Sequence, residues 1–186
     1  MIEFLKHLDL QILLAINGWN TPYFDVFFSG VSLTVLWIPF FSFLIYLIID
    51  TYKSKSLLIL LGFILLVAST DLVSARIFKP TFMRFRPCHN PEIAHLIHTV
   101  NGRCGGYYGF ISSHATNLFG IATYTFLWLN KKYSKVWLLF AWAFLIGYSR
   151  IYLGVHYPAD VTVGAIFGTL LGFGIFLLVK IFIKKT

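Results

Sequence analysis

Three short stretches of this chain combine residue types suited to one kind of chemistry, the handling of a phosphoryl group. The first is Lys79-Pro80-Thr81-Phe82-Met83-Arg84-Phe85-Arg86-Pro87, which holds two or three cations near two prolines at the end of an apolar run. Such a frame binds phosphate by charge and fixed geometry, although a basic stretch touching anionic headgroups has the same composition. The second is Ile111-Ser112-Ser113-His114. Small hydroxyl residues at a helix start leave free backbone N–H groups at the positive dipole end, an anion site, and His114 can give or take a proton there. In isolation, a plain Ser cap beside an interfacial His is the commoner explanation. The third is Ser149-Arg150, five further residues, then His156-Tyr157-Pro158-Ala159-Asp160. His156 and Asp160 are four apart across a helical turn begun by Pro158, so the carboxylate reaches the imidazole, keeps one ring nitrogen protonated and leaves the other as a nucleophile. A structural ion pair is the bland alternative. An Arg, a His and an Asp at membrane depth are expensive, however, and point to function by default.

The elements that must position these residues follow from composition. Of 186 residues, 58% are hydrophobic, 19% aromatic and only 12% charged. Average soluble domains carry roughly 25% charged residues, so disorder, an ordinary soluble enzyme and a disulfide-rich secreted scaffold are all excluded. Five apolar runs, at about 31–49, 57–78, 112–129, 136–153 and 160–183, each approach the roughly 20 residues a helix needs to cross hydrocarbon. Residues 2–16 place Phe4, Leu5, Leu8, Ile12 and Ala15 at helical spacing opposite Glu3, Lys6 and His7, an interfacial helix or a poor sixth span. Glu3 and Asp9 break the order of a signal peptide, so this segment is expected to be retained. Asn17-Gly18-Trp19-Asn20-Thr21-Pro22 reads as a turn with Trp19, Tyr23 and Phe24 at headgroup level. The predicted architecture is an all-α integral membrane bundle of about six helices, one unit over residues 1–186.

The one long polar stretch, Lys79 to Ile111, joins the second and third spans, and a connection of that length is usually functional. The net charge of +8 suits lipid headgroups and cytoplasmic loops better than nucleic acid in so apolar a chain. Eight lysines (Lys53, Lys55, Lys131, Lys132, Lys135, Lys180, Lys184 and Lys185) fall on one side if each span crosses once. The other side carries seven cations: Lys6, Arg76, Lys79, Arg84, Arg86, Arg103 and Arg150. The count is nearly tied, but the second set is mostly Arg, whose planar fork suits bidentate phosphate binding. Discounting those as topological signals puts the long loop outside the cytoplasm. The three stretches then meet on one membrane face.

Taken together the motifs resemble the type 2 phosphatidic acid phosphatase family. Its pattern is Lys, six residues, Arg-Pro; then Pro-Ser-Gly-His; then Ser-Arg, five residues, His, three residues, Asp. Lys79 with Arg86-Pro87, and Ser149-Arg150 with His156 and Asp160, match in full. The middle motif keeps Ser112 and His114, with Ile111 in place of Pro and Ser113 in place of Gly, a position whose family role is largely a backbone N–H. The resemblance covers about residues 23–180. It implies that His156 attacks phosphorus to form a phosphohistidine, oriented by Asp160. Lys79, Arg86, Arg150, Ser112 and Ser113 hold the phosphate oxygens, and His114 protonates the leaving lipid oxygen. It implies no metal and no cofactor. The implied partners are the bilayer and a membrane lipid phosphate such as undecaprenyl diphosphate, lipid A or a glycerophospholipid phosphate, processed at the outer face of a bacterial inner membrane. A vanadate haloperoxidase-like enzyme and a non-catalytic lipid-phosphate binder or transporter are the alternatives.

Several residues outside these motifs carry expectations of their own. Cys88 and Cys104 bracket fifteen residues of the loop; a disulfide there would contribute about 3 kcal/mol through chain entropy, whereas a metal site with His89, His95 and His98 lacks paired C-x-x-C spacing. Asp71 and Arg76 suggest an intramembrane pair. Arg84 and Arg103 are solvated loop charges or contacts to a second phosphate.

Overall fold

In the computed structural model, which describes residues 1–185, the chain forms eight α-helical segments and no β-strand among the described residues. Helix α1 (Ile2–Asn17) and α2 (Pro22–Val31) precede α3 (Ile38–Tyr52) and α4 (Ser56–Asp71). A π-helical stretch, Leu72–Phe78, carries α4 directly into the short α5 (Lys79–Phe82). Helices α6 (Ser113–Leu129), α7 (Leu138–Tyr152) and α8 (Pro158–Lys185) complete the bundle. The five expected spans are therefore helical, and Thr34–Phe82 and Pro158–Lys184 are long and apolar enough to cross a bilayer. Thr34–Phe82 is two arms, because Lys53 at φ 46° breaks the helix between α3 and α4.

Packing shows which solvent the fold is built for. Phe43, Leu61, Ile64, Leu170 and Phe173 are all exposed, which water would not tolerate on this scale and hydrocarbon does. The interior is closed by rings and shared carbonyls: Trp37 lies 5.3 Å from Trp142, and the Tyr124 and Tyr52 hydroxyls donate to Ile59 O at 2.8 Å and Trp128 O at 2.6 Å. The end of the bundle away from the long loop is tied by Asp50, which pairs with Lys53 at 2.8 Å and Lys132 at 2.7 Å.

Helix α6 packs along α8 more extensively than any other helix pair. Gly164, Gly168 and Gly172 recur at i, i+4 on α8. A Cβ at Gly172 would stand 2.5 Å from Gly120 O, and one at Gly164 would stand 2.9 Å from Ser112 O. Small residues at this spacing let two backbones approach where side chains would hold them apart. Ser112 N donates to Asp160 O at 3.0 Å, so the starts of α6 and α8 are fastened together.

One detail adds to the sequence reading and one differs from it. The apolar face of α1 points outward: Phe4, Leu5, Leu8, Ile12 and Ala15 are exposed, while Asp9, Leu13 and Asn17 are buried. The helix packs inward by the stripe that carries Asp9, Leu13 and Asn17, and Glu3, Lys6 and His7 are exposed together with those apolar residues. The expected Asp71–Arg76 pair does not form among the described residues; Asp71 lines a cleft with Ser113 and His114 instead.

Candidate active site

The loop between α5 and α6 is folded onto the bundle end by backbone and covalent ties. Phe85 and Tyr108 form an isolated antiparallel bridge, Arg86 N donates to Tyr107 O at 2.9 Å, and Gly109 N donates to Arg84 O at 2.9 Å. Cys88 and Cys104 are joined in a disulfide, which removes both from the metal-site reading. These ties present Arg84 and Arg86, two residues apart on an extended segment, to the turn at 153–157.

That turn is itself held by a buried knot. The Asn17 side chain donates from Nδ2 to Tyr152 O at 2.7 Å and to His98 O at 2.8 Å, and its Oδ1 accepts from His98 N at 2.8 Å. Asp25 accepts from the Tyr152 hydroxyl at 2.8 Å and pairs with His98 at 3.0 Å. Gly154 adopts φ +68°, where an L side chain is strained, and a Cβ there would also meet Ile97 and His98 O. The turn thus delivers His156 to a fixed place between α6 and the loop.

His156 is completely enclosed. Its Nδ1 lies 3.3 Å from Asp160 Oδ2, and Oδ2 also accepts from Tyr157 N at 3.1 Å. Arg84 holds the other oxygen, Asp160 Oδ1, at 2.8 Å. An ion-paired carboxylate on Nδ1 fixes the proton there and leaves Nε2 with the lone pair. Nε2 faces Arg86 Nη1 at 3.2 Å. Burial, then Arg86, Arg150, Lys79 and Arg84, hold the imidazole well below its ordinary range, so it is neutral near pH 7. Burial also works against the charge on Arg86, and the Asp160 carboxylate opposes that effect.

The other motif residues close around the same point. Lys79 Nζ donates to Ser113 Oγ at 2.9 Å, and Ser74 Oγ donates to the same oxygen at 2.9 Å. The side chain at 113 therefore does more than replace glycine: it seats Lys79. Ser112 caps α6 and is fully buried. His114 lies within electrostatic reach of Arg150, His156, Arg86 and Lys79. Arg86 Nε and Arg150 Nε are buried and have no hydrogen-bond partner among the described residues, an arrangement whose cost is repaid by an anion.

All eight candidate residues, Lys79, Arg86, Ser112, Ser113, His114, Arg150, His156 and Asp160, thus converge on one end of the bundle. Cavities flank them on two sides. One, of about 350 Å³, is an apolar cleft among α3, α4 and α6 lined by Phe41, Phe63, Val67 and Leu118, with Ser113 and His114 in its wall. The other, of about 330 Å³, is mixed in character, with Arg86, Arg103 and Arg150 beside Leu33, Val100 and Leu153.

Sequence reasoning missed three supports. Arg84 is neither a solvated loop charge nor directed at a second phosphate, because its Nη1 and Nη2 are taken by Asp160 and Asp9. Asp9 was legible only as an interruption in an apolar segment. Gly109 passes so close that a Cβ would stand 3.1 Å from Asp160 Oδ2 and 3.4 Å from His156 Nδ1, and no local pattern marks it. The glycine period on α8 was the signal available for the α6–α8 approach.

Known proteins share both this pattern and this fold. The family model described as PAP2 superfamily matches residues 56–184. The chain is 38% identical over 177 residues to a lipid A 4'-phosphatase of Bacteroides thetaiotaomicron, covering 94% of this chain and 76% of the relative. It is 35% identical to the lipid A 4'-phosphatase of Porphyromonas gingivalis, covering 92% of this chain and 72% of that one. Among solved structures, the transmembrane PAP2-type phosphatidylglycerolphosphate phosphatase from Bacillus subtilis superposes with a TM-score of 0.69 at 25% identity, over 97% of this chain and 87% of that chain. Aquifex aeolicus LpxE superposes with a TM-score of 0.62 at 31% identity, over 90% of this chain and 94% of that chain. A family model matched over most of the chain, with relatives matched over nearly all of it, leads to one conclusion: this is a membrane phosphatase of the PAP2 superfamily.

Proposed function

We propose that the chain hydrolyses a lipid phosphate through a phosphohistidine on His156, with a lipid A phosphate as the first substrate to test. The observation that carries the mechanism is the buried His156 imidazole, set against Asp160 at Nδ1 and facing Arg86 at Nε2. His156 Nε2 attacks phosphorus as the bond from phosphorus to the lipid oxygen breaks, and His114 gives its proton to that leaving oxygen. Water then attacks the phosphohistidine, returns a proton to His114 and frees His156 Nε2. Lys79, Arg86, Arg150 and the N–H groups at the start of α6 hold the three equatorial oxygens, where charge accumulates. Cations on the protein meet that charge without a metal ion.

The two cavities support a division of labour. The apolar cleft with His114 in its wall suits the lipid side of the scissile bond, and the arginine-lined chamber beyond Arg86 and Arg150 suits phosphate and water. The lysine-rich end carrying Asp50, Lys53 and Lys132 lies opposite the site, which supports an inner-membrane protein whose site faces outside. The choice of lipid A rests on the two near-full-length relatives that bear that name; an undecaprenyl-diphosphatase of Bacillus subtilis is 33% identical over half of this chain.

The test is inorganic phosphate release in detergent with EDTA present, against lipid A, undecaprenyl diphosphate, phosphatidylglycerol phosphate and phosphatidic acid. Wild type should release phosphate and prefer lipid A, while His156→Ala, folded and inserted, releases none. Turnover by His156→Ala at the wild-type rate would overturn the mechanism. Silence of wild type on every lipid would favour the binding-only reading.

A further inference from the structure

Helix α1 contributes a charged side chain to the machinery although no part of it touches the phosphate site. Asp9 is 8% exposed, while Glu3, Lys6 and His7 on the same helix face outward. Its two oxygens have different partners. Oδ1 accepts from Ala159 N at 2.7 Å, in the first turn of α8, and Oδ2 pairs with Arg84 Nη2 at 2.6 Å. Arg84 in turn pairs through Nη1 with Asp160 Oδ1 at 2.8 Å, and its guanidinium lies 3.9 Å over the Tyr157 ring. The guanidinium is therefore fixed by two carboxylates and one ring, and a continuous chain runs Asp9, Arg84, Asp160, His156.

Charge accounting shows why two carboxylates are present. When Nε2 attacks phosphorus, positive charge develops on the imidazole, and the Asp160 carboxylate opposite Nδ1 is the group placed to balance it. A lone Arg84 against a lone Asp160 would be a neutral pair with little left to offer the imidazole. With Asp9 on the far side of Arg84, the three groups Asp9, Arg84 and Asp160 together carry a net charge of minus one on the Nδ1 side of His156, opposite Arg86 on its Nε2 side.

We propose that Asp9 is a positioning residue for the reaction, which holds Arg84 away from full neutralisation of Asp160 and so preserves the charge that supports His156. The proposal rests on the reading of His156 as the nucleophile. It also gives α1 a function beyond packing, as the element that supplies the second carboxylate.

Asp9→Asn is the informative change. The amide oxygen can still accept from Ala159 N, while the charge facing Arg84 is removed. The expected result is a kcat about tenfold lower with KM within about twofold, and inhibition by inorganic phosphate unchanged, because Lys79, Arg86 and Arg150 make no contact with Asp9. In an Asp160→Asn background the same change should alter kcat by less than about twofold, since its route to His156 is already cut. A full tenfold loss in that background, a loss confined to KM, or phosphate inhibition weakened in parallel would each show a merely structural role and overturn the proposal. Unchanged kcat in Asp9→Asn overturns it while leaving the phosphatase reading intact. A silent wild type overturns both.

Discussion

Replacing Gly168 with Ala tests whether the spacing of α6 and α8 sets the geometry of catalysis. A Cβ at 168 would overlap Thr116 O and stand 2.9 Å from the Thr116 carbonyl carbon and 3.0 Å from Gly120 N. Carbon atoms in contact sit about 3.5–4.0 Å apart, so relieving the overlap with Thr116 O requires the helices to separate by about 1 Å or more, and the three nearest neighbours are all backbone that cannot rotate away. The site straddles this seam, with Ser112, Ser113 and His114 on α6 and Asp160 on α8. A displacement of about 1 Å costs on the order of 100-fold in rate, equivalent to about 2.7 kcal/mol, and overpacking costs about 1–3 kcal/mol of stability. The control lies on the same helix. Gly174 has nothing within 4 Å of its Cβ position, so Gly174→Ala keeps the geometry and gains helix propensity. The assay is phosphate release per folded protein, with folding followed by size-exclusion profile and thermal midpoint. Wild-type rate and midpoint in Gly168→Ala would refute the reasoning, as would equal losses in Gly168→Ala and Gly174→Ala.

Two further expectations concern charge. Because the folded environment holds His156 well below its ordinary value of 6.5, the unfolded chain takes up that proton first. Stability is then fully present above about pH 6.5 and falls by up to about 1.4 kcal/mol per pH unit below it, until the folded group titrates. Thermal midpoints at about pH 7.5 and about pH 5.5 should therefore fall further in wild type than in His156→Gln, and parallel shifts would refute the argument. Arg150→Met removes a guanidinium whose buried Nε has no hydrogen-bond partner among the described residues. Inhibition by inorganic phosphate should weaken about 10- to 100-fold, the worth of a charge-assisted hydrogen bond of about 1.5–3 kcal/mol; an unchanged inhibition constant would place Arg150 outside the anion site.

The parts of this protein that were legible in its sequence are those governed by local pattern. Apolar runs near membrane length identify the helices α3, α4, α6, α7 and α8, because each helix satisfies its own backbone and reports its solvent in composition. His156 and Asp160 could be paired from their spacing, because four residues across one helical turn is a distance the helix itself sets. The convergence of Lys79, Arg86, Ser112, His114 and Arg150 needed only that successive spans alternate in direction, so that their outer ends meet.

Tertiary structure decided what depends on partners far apart in the chain. Which stripe of α1 turns inward was not legible, since helical periodicity shows that two faces differ but not which neighbour each will meet. Phe4, Leu5, Leu8 and Ile12 of α1 stay exposed, and Asp9 meets Arg84, 75 residues away. Arg84 looked like a free cation because its two carboxylates come from opposite ends of the sequence. Ser113 acquired a role through Lys79, and Gly109 through its passage beside His156 and Asp160, only once the loop had folded over the bundle. Composition and spacing thus determined which groups are present and which end of the membrane they share. Their protonation and orientation were left to the fold, because burial and long-range ion pairs exist only after the helices have packed.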